Sequence, residues 1–203
     1  NTINQTSPVQ VGNQKDWARV DISFYHVLAL KTDSSLWVWG ANSFGNLGIG
    51  SGFPQKQTTP LLKPGKWIDI SAGGSASFAI KSDRTLWAWG ADGGNLGTGS
   101  TSVSHQLNPI QIGTQTNWKQ ISTSSIDQIG IQMDSSLWVW GLNGNYSHGT
   151  GTNVQNLLPT QIRAEEKWIS AQHAGSQSYA TNAQRSIFLT GNGYRNLRVH
   201  SRV

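Results

Sequence analysis

The sequence has 203 residues and 36% hydrophobic content, enough for a substantial core, which argues against a short peptide, a fibrous repeat or a disordered tail. No apolar run approaches the roughly 20 residues that a membrane helix needs, and the absence of cysteine excludes a disulfide framework, a thiolate nucleophile and cysteine-ligated metals. The net charge of +5 gathers at one end: Arg185, Arg195, Arg198 and Arg202 have no acid among them, while residues 1–184 hold 11 basic against 10 acidic residues, too even for a nucleic-acid face.

In chain order, Pro8-Val9-Gln10-Val11 reads as a short strand and a second starts at Trp17. Val27-Leu28-Ala29-Leu30-Lys31, the turn Thr32-Asp33-Ser34-Ser35 and Leu36-Trp37-Val38-Trp39-Gly40 then alternate with period two, the signature of a β-hairpin. A glycine-rich turn, Phe44-Gly45-Asn46-Leu47-Gly48-Ile49-Gly50, follows, and then a loop from Ser51 to Thr59 that holds Phe53 and Lys56.

The same series returns as Pro60-Leu61-Leu62, Trp67, the turn Ser82-Asp83-Arg84-Thr85, Leu86-Trp87-Ala88-Trp89-Gly90 and Gly93-Gly94-Asn95-Leu96-Gly97-Thr98-Gly99. A loop from Ser100 to Asn108 carries His105. The third copy comprises Pro109-Ile110-Gln111-Ile112, Trp118, Met133-Asp134-Ser135-Ser136, Leu137-Trp138-Val139-Trp140-Gly141 and a looser Asn145-Tyr146-Ser147-His148-Gly149-Thr150-Gly151. The fourth, Pro159-Thr160-Gln161-Ile162, Trp168 and Ile187-Phe188-Leu189-Thr190-Gly191, decays towards its end.

Trp17, Trp67, Trp118 and Trp168 are 50, 51 and 50 residues apart, and all ten tryptophans obey this period. Four units, about 8–52, 60–101, 109–152 and 159–203, fill one domain, each with four short strands and none with a helical period. The predicted fold class is an all-β propeller of four-stranded antiparallel blades. Strict phase assigns Trp17, Trp37, Trp39, Trp67, Trp87, Trp89, Trp118, Trp138, Trp140 and Trp168 to packing between blades rather than to stacking on a ligand. Asp33, Asp83 and Asp134 read as turn residues that bond nearby backbone N–H groups.

The Leu-Trp-x-Trp-Gly strand followed by Gly-x-Leu-Gly-x-Gly resembles the repeat of the regulator of chromosome condensation family, in register over essentially the whole chain. Members of that family usually close a ring with seven blades. The resemblance therefore implies a partial ring here, with further blades elsewhere, a second chain, or an open arc as the alternatives. The decayed fourth unit favours a C-terminal end, with missing blades expected before Asn1.

No chemical constellation emerges. The glycine strings open no helix and recur once per unit, as structural turns do; His26, His105, His148, His173 and His200 are scattered, and Glu165-Glu166 are neighbours that face opposite ways in extended chain. We therefore expect no cofactor, no metal and no catalysis. The loops entering the third strand differ between units and converge on one rim, so Phe24, Tyr25, His26, Ser75, Ile126, Asp127 and Gln177 form a predicted partner surface. Phe53, Lys56 and His105 form a second on the outer side.

The predicted function is a non-catalytic module for binding another protein or for assembly, including self-association. A surface rich in Ser, Thr, Asn and Gln, 71 residues in all, favours an extracellular, cell-surface or virion setting over a nuclear one. The alternative that the resemblance implies is guanine-nucleotide exchange on a small GTPase, which this rim contacts in exchange-factor members. Only His26 matches the histidine common there, with Ala76, Asp127 and Gln177 at the equivalent places. Nucleic-acid binding through Arg195, Arg198 and Arg202 is a remote third reading.

Overall fold

The computed structural model describes residues 6–51, 54–102 and 104–192. Among these residues fifteen strands alternate with turns and loops: β1 (Trp17–Ile22), β2 (His26–Lys31), β3 (Leu36–Ala41), β4 (Lys56–Lys63), β5 (Trp67–Gly73), β6 (Ala76–Lys81), β7 (Leu86–Asp92) and β8 (Ser104–Gln111) make up the first half. The second half holds β9 (Trp118–Thr123), β10 (Asp127–Gln132), β11 (Leu137–Gly141), β12 (Asn156–Ile162), β13 (Trp168–Ala174), β14 (Gln177–Asn182) and β15 (Ile187–Gly191). They pair antiparallel in chain order into three four-stranded sheets, β1–β4, β5–β8 and β9–β12, and a three-stranded sheet, β13–β15. The all-β blade architecture read from the repeats is the observed one.

The sheets divide the chain in a different phase from the sequence units. Each Pro-bearing strand pairs with the Leu-Trp strand of the preceding unit: Leu36 lies opposite Lys63, Trp37 opposite Leu62, and Trp138 opposite Gln161. Proximity in sequence to the next tryptophan hid this, because β4 must return along β3 before the chain crosses to the next blade. Lys56 and His105 consequently sit on β4 and β8, opposite Ala41 and Ala91, and not in the predicted loops.

The turns of the first three hairpins share one hydrogen-bonded arrangement. Asp33, Asp83 and Asp134 accept the N–H of Ser35, Thr85 and Ser136 at 2.9, 3.1 and 3.0 Å. Those hydroxyls accept the indole N–H of Trp37, Trp87 and Trp138 at 3.0, 2.8 and 2.8 Å. The hydroxyl and amide bonds hold all three carboxyls below their ordinary range. In the fourth hairpin Gln184 stands where the aspartate was and Phe188 replaces the tryptophan.

Blades pack by facing an aliphatic sheet surface with an aromatic one. Leu28, Leu36 and Val38 meet Trp67, Ile70 and Trp89, and the pattern repeats across the next two seams. Trp67, Trp89, Trp118, Trp140 and Trp168 are fully buried there, whereas Trp17, Trp37, Trp39, Trp87 and Trp138 are half-buried. Gly90, which ends its Leu-Trp strand, has φ +102°, and a Cβ there would lie 2.9 Å from Ala76 Cα and collide with the Ser75 carbonyl oxygen. Gly90→Ala should therefore lower the unfolding free energy by about 3 kcal/mol. A denaturation midpoint unchanged from wild type would show that this backbone can relax.

Candidate functional site

The strands β1, β5, β9 and β13, which open the four sheets, lie side by side, stitched by side chains that reach the next blade's backbone. Asp21 accepts the Ala72 N–H at 3.0 Å, Asp69 that of Ile121 at 2.8 Å, Ser71 that of Thr123 at 3.0 Å and Ser122 that of His173 at 3.0 Å. Arg19 also pairs with Asp69 across the first seam. Such bonds set the angle between blades and thereby the spacing of the loops above them.

The loops that follow them border an open cleft of about 400 Å³, lined by Ile22, Ser23, Phe24, Ala72 to Gly74, Thr123 to Ser125, and Gly175. Its floor is mostly backbone and small side chains: a Cβ at Gly73 would collide with the Ser124 carbonyl, so only glycine lets the two loops approach. The Ser23 hydroxyl accepts the Tyr25 and His26 N–H groups at 3.2 Å each, and Ser124 does the same for Ile126 and Asp127 at 3.3 and 3.0 Å. These caps project Phe24, 91% exposed, and Tyr25, 55% exposed, from the rim, with their rings 6.4 Å apart.

Of the residues predicted for this surface, Phe24 and Tyr25 are exposed, while Ser75, Ile126 and Gln177 are half-buried beside the loops. His26 and Asp127 are corrections, since both are interior. His26 Nδ1 lies 2.8 Å from Ser23 Oγ and Nε2 lies 2.7 Å from Ser77 Oγ of the next blade, whose hydroxyl donates to the Asn46 carbonyl. Burial pushes its imidazole down to about 4. His105 and Lys56 are exposed on the outer strands, where His105 meets the Phe44 ring edge-on at 5.3 Å. Phe53, Arg195, Arg198 and Arg202 lie outside the described residues.

Asp127 belongs to a polar cluster that the sequence did not announce. His148 occupies the place of the buried Leu47 and Leu96 in the glycine-rich turn, is itself buried, and sets Nε2 3.3 Å from Asp127 Oδ1. The carboxylate also accepts the Asn143 N–H and the Ser147 hydroxyl, each at 2.7 Å. Burial alone would raise the Asp127 carboxyl, but the bonds from His148, Ser147 and Asn143 together hold it below its ordinary value. The pair thus exchanges the His26 and Leu47 of the first blade for Asp127 and His148 in the third.

His173 takes over the bond that His26 makes, with Nδ1 2.9 Å from Ser178 Oγ, while Ser178 donates to the Ser147 carbonyl. Its buried ring is likewise pushed down to about 4, mainly by loss of hydration. The cluster resembles a catalytic one only in composition. Ser147 gives its proton to a carboxylate and has no imidazole acceptor, so no activated nucleophile is formed. Among the described residues no group of three His, Asp or Glu could hold a metal ion. The clue available in the sequence was the histidine at an otherwise leucine position.

Comparison with known proteins agrees with this geometry. Residues 33–80 match the Regulator of chromosome condensation (RCC1) repeat, and residues 17–46 match a second description of the same repeat. The human probable E3 ubiquitin-protein ligase HERC6 is 28% identical over 165 residues, 78% of this chain and 16% of that protein. Residues 17–80 thus carry the regulator of chromosome condensation repeat, and the similarity to HERC6 extends over most of the chain. In fold, yeast RCC1 (Prp20) in its crystal structure with Kap60 superposes with a TM-score of 0.78 at 18% identity, over 92% of this chain and 46% of that one. Human WBSCR16 superposes with a TM-score of 0.72 at 17% identity, over 86% and 47%. The chain thus spans about half the length of these propellers and about a sixth of HERC6.

Proposed function

We propose that the chain is a non-catalytic protein-binding module whose cleft, between the loops that follow β1, β5, β9 and β13, receives a loop or extended segment of a partner. The observation that carries this reading is the exposed Phe24–Tyr25 pair standing over a floor of glycine and serine backbone. Two aromatic rings supply apolar area at low entropic cost, and unobstructed peptide groups beside them offer hydrogen bonds to a partner's main chain. Binding of Kap60 by the yeast relative supports the partner class, a protein. The outer surface of Lys56 and His105, where His105 meets Phe44, is a lesser candidate for the same role.

Guanine-nucleotide exchange remains the second reading, supported by the family alone. The one matching histidine, His26, is held between Ser23 and Ser77 and does not face a partner. Labelled-nucleotide release from a panel of small GTPases tests it, and no stimulation across the panel counts against exchange.

For the leading reading, peptides should be selected on the chain from a random display library and then measured against Phe24→Ala and Tyr25→Ala. Each change should weaken binding about 10- to 100-fold, the range for a buried aromatic anchor. Stability should stay within about 0.5 kcal/mol, because both rings are exposed. Selected peptides that bind the double variant as well as wild type would overturn the assignment of this cleft.

A further inference from the structure

The third seam, between the sheets β9–β12 and β13–β15, differs from the other two in its polar groups. Where the first seam buries Leu47 and Ala72, and the second Leu96 and Thr123, the third places His148 and His173, with Asp127 beside them. The titratable groups that face one another are therefore Asp127 on β10, His148 in the turn after β11 and His173 on β13. Arg163, after β12, lines the same seam but lays its guanidinium 5.3 Å from the Phe188 ring, and Tyr179 on β14 spends its hydroxyl on Gln177. β9 and β15 contribute only the uncharged Ser122 and Thr190.

The hydrogen bonds fix where each proton sits. Asn156 Nδ2 donates to His148 Nδ1 at 3.0 Å, so the His148 proton is on Nε2, 3.3 Å from Asp127 Oδ1. Ser178 gives its own proton to the Ser147 carbonyl and accepts from His173 Nδ1 at 2.9 Å, which leaves His173 Nε2 bare. That nitrogen is buried and has no hydrogen-bond partner among the described residues. A proton added to His173 must go there, and one added to His148 must displace the Asn156 amide. With both imidazoles charged, one carboxylate faces two buried cations, an arrangement relieved by opening the seam to water.

The same residues are tied to the cleft. Ser124, which lines it, accepts the Asp127 N–H at 3.0 Å, and Ser122, next to Thr123, accepts the His173 N–H at 3.0 Å. Gly175, on the opposite wall, stands two residues beyond His173. We propose that the third seam is a proton-operated hinge, closed while Asp127 balances at most one imidazolium and opened in acid, and that its opening moves Gly175 away from Thr123 to Ser125. The sign follows from linkage. Burial holds the His173 imidazole down to about 4 in the closed seam, whereas a hydrated ring titrates near 6.5, so the open state binds more protons between those values and acidification favours it. Control of a partner by this hinge rests on the cleft reading, but the hinge itself does not.

The chain has no cysteine, so paired spin labels report the hinge directly. Labels at Ser125→Cys and Ser176→Cys straddle the third seam, and labels at Ser75→Cys and Ser125→Cys straddle the second. Lowering the pH from about 7 to about 4.5 should lengthen the first distance and leave the second unchanged. His173→Thr, which takes the residue found at the same place in the preceding sheet, should abolish the change. Peptides selected on the chain at neutral pH, and free of histidine and acidic residues, should bind at least about 10-fold more weakly at the lower pH, and His173→Thr should remove that loss. A constant third-seam distance in a chain that is still folded overturns the hinge, as do equal lengthening of the two distances and lengthening that persists in His173→Thr. Label movement without a change in peptide affinity overturns control of the cleft. Labels that respond while no peptide can be selected support the hinge and overturn the cleft reading alone.

Discussion

Replacing Trp89 with alanine should lower the unfolding free energy by about 4 to 5 kcal/mol, the upper end for a buried aromatic side chain. Trp89 is fully buried in the first seam, meets Trp67 edge to face at 6.1 Å, and donates its indole N–H to the Asn46 carbonyl at 2.8 Å. The turn that supplies that carbonyl also lays Gly48 against the indole ring. Removing the ring therefore empties a void, leaves the Asn46 carbonyl one bond short, and frees the glycine-rich turn from its support. Trp39 holds the same repeat position on the open face of the first sheet and is half-buried, so Trp39→Ala should cost about 2 kcal/mol when measured on the monomer. Denaturant titration of both variants at low protein concentration separates them. Equal losses would mean that position in the repeat, rather than burial in a seam, sets the cost.

Acidification from pH 7 towards pH 4 should destabilise the protein through two buried histidines. His26 and His173 are held neutral inside seams, each lowered from 6.5 to about 4 by burial. In the unfolded chain both take up protons below about pH 6.5, whereas the folded chain resists until about pH 4. The unfolded state thus binds more protons throughout that window, so stability is complete above about pH 6.5 and falls as pH drops towards 4. A depression of this size corresponds to about 3 kcal/mol for each histidine, or about 6 kcal/mol for the two. Denaturant midpoints between pH 7 and 4 should fall continuously, and His26→Gln, which retains hydrogen bonding to Ser77, should flatten the fall by about half. A profile level from pH 7 to pH 4.5 would show that the rings are protonated or hydrated in the folded state.

The periodic core was readable because each blade repeats the same alternation, and alternation alone places a side chain on one face or the other. Trp37, Trp87 and Trp138 follow their serine or threonine by two residues, and that spacing already contains the hydrogen bond that anchors the indole. Lys56 and His105 were misplaced for the opposite reason. Their segments are polar and carry no alternating apolar signal, yet pairing with β3 and β7 draws them into strands. The rim was legible in part: loops that differ between repeats pointed to Phe24 and Tyr25, and burial removed His26 and Asp127 from the same group.

The order of the strands, the four-unit repeat, the turn aspartates and the resemblance to a known repeat are properties of the sequence by itself, since each depends on residues close together in the chain. Three things depended on the tertiary structure. Which sheet receives each Pro-bearing strand, whether a polar side chain such as Asp127 or His148 faces water or a neighbouring blade, and where the loops border a cleft are all contacts between residues well separated in the chain, such as Leu36 with Lys63, Asp127 with His148 and Ser71 with Thr123. Local periodicity constrains direction within one strand, but only packing of one blade against the next decides what that direction meets.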